Sequence, residues 1–166
     1  MPDLAINVGF DQGNKGIFFT IFVFSSLLIR ILAGKASDKY GRVIVLKWAC
    51  MAIVLADLMV AFTHSQTMLI FSSMAFGIAV GLNTPTIYAW TIDLSHDKKR
   101  GKGLATMYIA LEIGIGMGAF VSGWVYANEI QNLRDAFVIC SVLAFLGFLY
   151  LNFGLNWGKK LFTIKD

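Results

Sequence analysis

The sequence predicts an all-α integral membrane protein built from five antiparallel transmembrane helices. Two observations support this fold class: the composition, and the way apolar residues are grouped. Hydrophobic residues make up 57% of the chain and charged residues 14%, whereas soluble domains average about 25% charged residues. The mean hydropathy is +0.69. The chain therefore has too few polar residues to cover a water-soluble globule, and its long apolar runs fit spanning helices better than the alternating pattern of a spanning β-barrel.

Five segments are long and apolar enough to cross a bilayer, which takes about 20 mostly apolar residues. We predict these spans at approximately residues 16–34, 43–62, 68–92, 104–127 and 136–157. They form one domain over residues 1–166, with residues 1–15 as an outer tail and residues 158–166 as a cytoplasmic tail. The connections are short, so consecutive spans are expected to be antiparallel neighbours.

Apart from Arg30, the basic residues fall mostly on one side of this predicted topology. That side receives eleven of them: Lys35, Lys39, Arg42, Lys47, Lys98, Lys99, Arg100, Lys102, Lys159, Lys160 and Lys165. The other side receives only Lys15 and Arg134. We expect a multi-pass protein of the cell (inner or plasma) membrane. Because lysine and arginine are enriched in cytoplasmic loops, we expect its C-terminus to lie in the cytoplasm.

A short polar stretch separates the first two spans. It runs from Gly34 to Arg42 and contains Asp38, Lys39 and Gly41. Two glycines that bracket charged residues predict a tight turn, because glycine tolerates backbone angles that other residues resist. Asp38 is placed to accept hydrogen bonds from backbone amides at the start of the next helix. Arg42 is placed to pair with Asp38 or with an acid on another helix.

The spacing G-x3-D-K-x-G-R in this stretch resembles the cytoplasmic loop motif of the major facilitator superfamily of secondary transporters, except that Val43 stands where that motif has a further base. In the family the motif acts as a cytoplasmic latch and joins the second and third helices of a six-helix half. Here it joins the first two predicted spans, so the resemblance implies helices eight to twelve, the C-terminal half of a sugar or drug permease. The N-terminal half is the alternative register. A role in fixing topology is the alternative to a latch.

A second charged loop follows the third predicted span. Its pattern D-x6-R-G, from Asp93 to Arg100 and Gly101, resembles the matching loop of a facilitator half. We expect Asp93 and Arg100 to complete a charge network with Asp38 and Arg42. The alternative is a solvated basic loop near anionic lipid.

Besides Lys47, three charged residues lie inside the predicted spans. Glu112 is about 12 Å deep at 1.5 Å per residue, and a carboxylate at such a depth is a functional candidate by default. We expect it to carry a proton or to contact solute; a structural hydrogen bond, for instance to Arg30, is the alternative. Arg30 is a candidate substrate contact, or a side chain that extends to the membrane surface. Asp57 lies in a span that the resemblance makes peripheral, which disfavours a role in transport.

The third and fourth spans carry small and polar residues at helical spacing. In the third span, the resemblance implies that Asn83, Thr84 and Tyr88 line a central cavity and contact solute, with close helix packing as the alternative. In the fourth span, small residues recur every four positions and predict a ridge for close helix contact. This ridge consists of Ala110, Gly114, Gly118 and Ser122.

These features together favour secondary active transport of a small organic solute by alternating access within a complete transporter, and we expect the transport to be coupled to protons. The expected partners are the lipid bilayer, the solute, protons, and either a missing transporter half or a second copy of the chain. The alternative is a non-transporting membrane scaffold or regulatory remnant.

No catalytic residue set, phosphate loop or dinucleotide motif is readable in the sequence. His64 and His96 stand alone in loops without metal-ligand spacing. We therefore expect no enzyme activity, no cofactor, no metal and no nucleic-acid partner.

Overall fold

A computed structural model describes residue 9, residues 16–126 and residues 129–154, apart from the side chains of residues 130 and 131. Five α-helices follow one another: α1 Ile17–Tyr40, α2 Arg42–Ala61, α3 Gln66–Leu94, α4 Arg100–Tyr126 and α5 Ile130–Leu149. A 3-10 turn at Asp97–Lys99 precedes α4, and a π-helical turn at Tyr150–Gly154 follows α5. In the described part, five helical segments are long and apolar enough to cross a membrane, so the predicted fold class is confirmed. Most of the predicted tails lie outside the described residues.

The reversal between α1 and α2 takes place at one residue. Gly41 has φ +93° and ψ 145°, a backbone conformation that is essentially restricted to glycine, and its amide donates a hydrogen bond to the Ser37 carbonyl at 3.1 Å. The prediction of a turn spanning Gly34 to Arg42 is therefore wrong in extent, because α1 stays helical through Tyr40. Gly34 is a helical residue, and a Cβ added there would meet no atom within 4 Å. We call the end of the bundle at Gly41 the motif end.

Helices α1 and α3 pack closely through glycine. A Cβ on Gly77 would lie 2.5 Å from the carbonyl oxygen of Phe22, and a Cβ on Gly81 would lie 2.8 Å from that of Ser26. Neither residue could carry a side chain without moving the α1 backbone. Close packing, the alternative considered for the third span, is thus what the structure shows for these two glycines.

Helix α2 lies against α3 and α5 and supplies six of the twelve buried apolar side chains in the described part. Leu46 is 2% exposed and Val60 1% exposed. At the end remote from Gly41, Val60 joins Phe18 of α1 and Leu69 of α3 in a core cluster against which α5 packs. Burial of this kind holds the helices together by close packing, since lipid removes the usual hydrophobic difference between a helix and its surroundings.

Helix α4 is the least covered helix, and none of its residues is buried. It meets α3 at Tyr108 and faces α5 across a cavity of about 450 Å³. Its small residues make no close contact within the described chain, because a Cβ on Gly114 or Gly118 would meet no atom within 4 Å, so close helix contact through this ridge stays a prediction. The reason is geometric: α4 stands at the edge of the bundle, so most of its ridge points away from the other helices.

Candidate functional site

Two groups of side chains combine charge with tertiary contact. The first group, which we call the charge cluster, lies at the motif end and consists of Ser37, Asp38, Arg42 and Asp93. Arg42 is the first residue of α2. Its guanidinium donates to a carboxylate oxygen of Asp38, to the Ser37 hydroxyl at 2.9 Å, and to an Asp93 carboxylate oxygen at 2.8 Å. One side chain therefore ties the end of α1 and the end of α3 to the start of α2.

This arrangement confirms the expected pairing of Arg42 with both Asp38 and an acid on another helix. It contradicts the expectation that backbone amides of the next helix bind Asp38. Because Asp38 lies within the last turn of α1, its partner is Arg42, four residues later along the chain. The side chain of Arg42 is 23% exposed and that of Asp93 51% exposed. Exposed pairs contribute about 0.2–1 kcal/mol each, an energy small enough for the contact to open.

Arg100 and Lys39 do not join the charge cluster. Arg100 pairs with Asp97 at 2.8 Å, so the expectation that it completes the network is wrong. Asp97 and Arg100 are three residues apart, a spacing at which side chains on a helix can pair. This local ion pair takes the place of one between Arg100 and the charge cluster. The amino group of Lys39 lies 5.3 Å from the centre of the Tyr40 ring, a local cation–π contact.

The second group lies on α3 and on the two helices that pack against it, α1 and α4, and we call it the solute face: Arg30, Tyr88, Tyr108 and Glu112. The rings of Tyr88 and Tyr108 are 5.7 Å apart between centroids and inclined by 38°. The positive charge of Arg30 acts on the Tyr88 phenol. Glu112 follows Tyr108 by four residues, so the two lie on one face of α4. Three helices thus contribute a cation, an aromatic pair and an acid to one region.

Sequence reasoning did not single out Tyr108. The signal was present, since Tyr108 and Glu112 are separated by one helical turn, but an aromatic residue in a membrane span is usually lipid-facing bulk or an interface anchor. Only the approach of α4 to Tyr88 distinguishes it.

The candidate solute contacts differ in how exposed they are and in whether their polar groups are already hydrogen-bonded. Glu112 and Arg30 are exposed, and no ion pair joins them in the described part of the chain. The Thr84 hydroxyl donates to the Val80 carbonyl at 2.9 Å, so its proton is already engaged within α3. Asn83 is half-buried. Among the residues that the structure describes, no group of three or more His, Cys, Asp or Glu side chains is placed to hold a metal ion.

Comparison with known proteins gives consistent matches. The family described as the Major Facilitator Superfamily matches residues 1–158. The quinolone resistance protein NorA of Staphylococcus aureus (strain Mu50) is 21% identical over 149 residues, covering 90% of this chain and 38% of NorA. Multidrug resistance protein 2 of Bacillus subtilis (strain 168) is 22% identical over 150 residues, covering 88% of this chain and 36% of the relative. The chain thus spans less than two-fifths of the length of these curated relatives.

Proposed function

We propose that this chain, which belongs to the major facilitator superfamily, takes part in secondary active transport of a small organic solute by alternating access. Family membership and the apolar helices make it a multi-pass membrane protein with a role in membrane transport. They favour a transporter over an enzyme. The proposal concerns the finer statement: which solute, which driving force, and which residues.

The solute we propose is a drug-like aromatic molecule that leaves the cell. Relatives named for quinolone and multidrug resistance support this choice. The observation that carries it is the pairing of Tyr88 with Tyr108. Two aromatic rings from different helices offer an aromatic solute stacking surfaces, each worth about 0.5–1.5 kcal/mol beyond area burial. Arg30 and Glu112 add one charge of each sign beside them. Asn83 and Thr84 are further proposed contacts on α3.

The driving force we propose is a proton gradient acting through Glu112. This carboxyl lies on an apolar helix with no cation paired to it in the described part of the chain. A carboxylate in hydrocarbon is costly, so binding of a proton favours the state in which the face closes against lipid or protein. Release of the proton favours the state open to water.

The charge cluster is the proposed latch of the same cycle. Its hydrogen bonds link the ends of α1 and α3 to the start of α2, and their individual energies are small. Closure at this end would make them, and opening would break them. We place this end in the cytoplasm of the cell membrane, with the C-terminus on the same side, because bases concentrate there.

None of the residues of α4 is buried, which favours this helix as the place where a partner bundle packs. We propose that the chain supplies helices eight to twelve, and that the small residues on α4 pack against the remainder of a transporter or a second copy. Small residues permit the close approach that helices in membranes need. The N-terminal-half register remains the alternative assignment.

The test is efflux of ethidium, a fluorescent aromatic cation, from bacteria that lack their own drug pumps and express the chain from its native coding region. We expect energised cells to retain less ethidium than cells with an empty vector, and Glu112→Gln to abolish the difference. Glu129→Gln, an acid-to-amide change at an exposed position before α5, is the matched control and is expected to keep efflux. Equal retention in vector and wild-type cells, with the protein present in the membrane, would refute the proposal for this solute class and favour a scaffold.

A further inference from the structure

Asp57 is a carboxyl buried inside the helix bundle, away from the solute face. It lies four residues before the end of α2 and is 3% exposed. No residue of the described part donates a hydrogen bond to it or forms an ion pair with it. Buried carboxyls with a purely structural role are normally held by hydrogen-bond donors, so Asp57 needs another explanation.

The elements packed around Asp57 offer few charges that could balance it. The parts of α1 and α3 at this level, residues 17–29 and 66–82, contain no titratable residue. On α5, the titratable residue at this level is Cys140, beside the Ser141 that contacts α2, and a thiol supplies no positive charge. Farther along, Arg134 lies 5.8 Å from the centre of the Phe62 ring and 3.7 Å from Asp135. A charged Asp57 would therefore lack a counter-ion in this conformation, and the neutral, protonated form is the one the packing accepts.

A cavity lies between α4 and α5, on the side of the bundle where α5 packs against α2. The space of about 450 Å³ between α4 and α5 is lined by Ser122 and Gly123 on one side and by Phe137 and Cys140 on the other. It can hold several water molecules, since each occupies about 30 Å³. Cys140 lines the cavity, and its neighbour along α5 contacts α2 one helical turn from Asp57. Ser141, the next residue, is buried and donates to the Val54 carbonyl of α2 at 3.4 Å.

We propose that Asp57 is a proton-binding site separate from the solute face, loaded and unloaded through water in the cavity between α4 and α5. In the unloading step the carboxyl O–H bond breaks, the proton passes to a cavity water, and a carboxylate remains. Loading is the reverse, and no other reactant is needed. The site goes beyond the proposed role of Glu112: a proton held on the α2–α5 side does not compete with solute held by α1, α3 and α4.

Infrared spectroscopy of the purified chain in lipid vesicles tests the proposal without any transport measurement. A protonated carboxyl has a C=O stretching band that a carboxylate lacks. We expect the wild-type protein at neutral pH to show such a band, Asp57→Asn to lose it, and Glu112→Gln to retain it. In heavy water the band should shift as the carboxyl proton exchanges. Gly123→Leu, which adds a side chain to the cavity wall, should slow that exchange at least several-fold.

The outcomes separate this proposal from the transport function. The site is supported if Asp57→Asn lacks the band, if the band of the wild-type protein exchanges rapidly, and if the band of Gly123→Leu exchanges slowly. This holds even if no ethidium efflux is seen. A band that does not exchange would make Asp57 a permanently neutral structural residue and overturn the proposal. So would a spectrum in which Asp57→Asn removes no band. The exchange comparison between wild type and Gly123→Leu needs no change at Asp57, so it still decides if Asp57→Asn does not fold.

Discussion

Replacement of Gly77 by valine tests the packing that positions the solute face. A Cβ at this position would lie 2.5 Å from the Phe22 carbonyl oxygen and 2.8 Å from the Ser25 Cβ. To reach an ordinary contact of 3.4 Å, α1 and α3 would have to separate by roughly 0.9 Å, against the close packing that holds membrane helices together. Overpacking of this kind costs about 1–3 kcal/mol, and a backbone atom cannot rotate away as a side chain can.

The gain in helix propensity on replacing glycine by valine, about 0.3–0.6 kcal/mol, offsets a minor part of this cost, so we expect a net loss of about 1.5 kcal/mol. That corresponds to a fall of about 3–6 °C in the melting temperature of the purified chain, measured in detergent by intrinsic tryptophan fluorescence. Gly114→Val is the matched control, because a Cβ there meets no atom within 4 Å. Equal melting temperatures for Gly77→Val and Gly114→Val would contradict the close approach of α1 and α3.

Three further sets of substitutions test the chain reversal, the charge cluster and the solute face. Gly41→Ala should destabilise the chain by about 1–3 kcal/mol, because alanine resists φ +93°, whereas Gly34→Ala should not; the same melting assay decides, and equal effects would contradict a reversal at one residue. Asp93→Asn should lower stability by about 0.2–1 kcal/mol and Arg42→Gln, which loses its pairs with both Asp38 and Asp93, by about twice as much. The double variant should lose less than the sum; strict additivity would show that the two side chains do not interact. Tyr108→Ala should weaken ethidium binding roughly 2- to 10-fold by fluorescence titration while Tyr108→Phe keeps it, and unchanged binding in Tyr108→Ala would remove this ring from the solute face.

Much of the fold could be predicted because spanning a bilayer constrains sequence strongly. A helix that satisfies its own backbone hydrogen bonds must be about 20 apolar residues long, and five such runs are visible. The spacing around Asp38 and Arg42 also predicted their ion pair, which the structure contains. The extent of the turn could not be predicted, because nothing in the residues Lys35 to Tyr40 prevents helix and Gly41 alone suffices to reverse the chain.

Long-range partners were predictable only where local competitors were absent. Arg42 reaches Asp93, fifty-one positions away, as expected. Arg100 does not, because Asp97 is available within its own turn. The repeat of small residues on α4 indicates a packing surface but does not say what covers it. The contact of Tyr108 with Tyr88 depends on how α4 approaches α3, which periodicity within one helix does not determine.

The central claim is that binding and release of a proton at Glu112 couple the proton gradient to solute export. The direct measurement uses everted membrane vesicles with an imposed proton gradient, reported by a pH-sensitive dye, to which ethidium is added. We predict that ethidium dissipates part of the gradient in wild-type vesicles, and that the Glu112→Gln protein gives no more dissipation than vesicles without the protein. Ethidium transport that leaves the gradient untouched, or that persists in Glu112→Gln, would contradict the account.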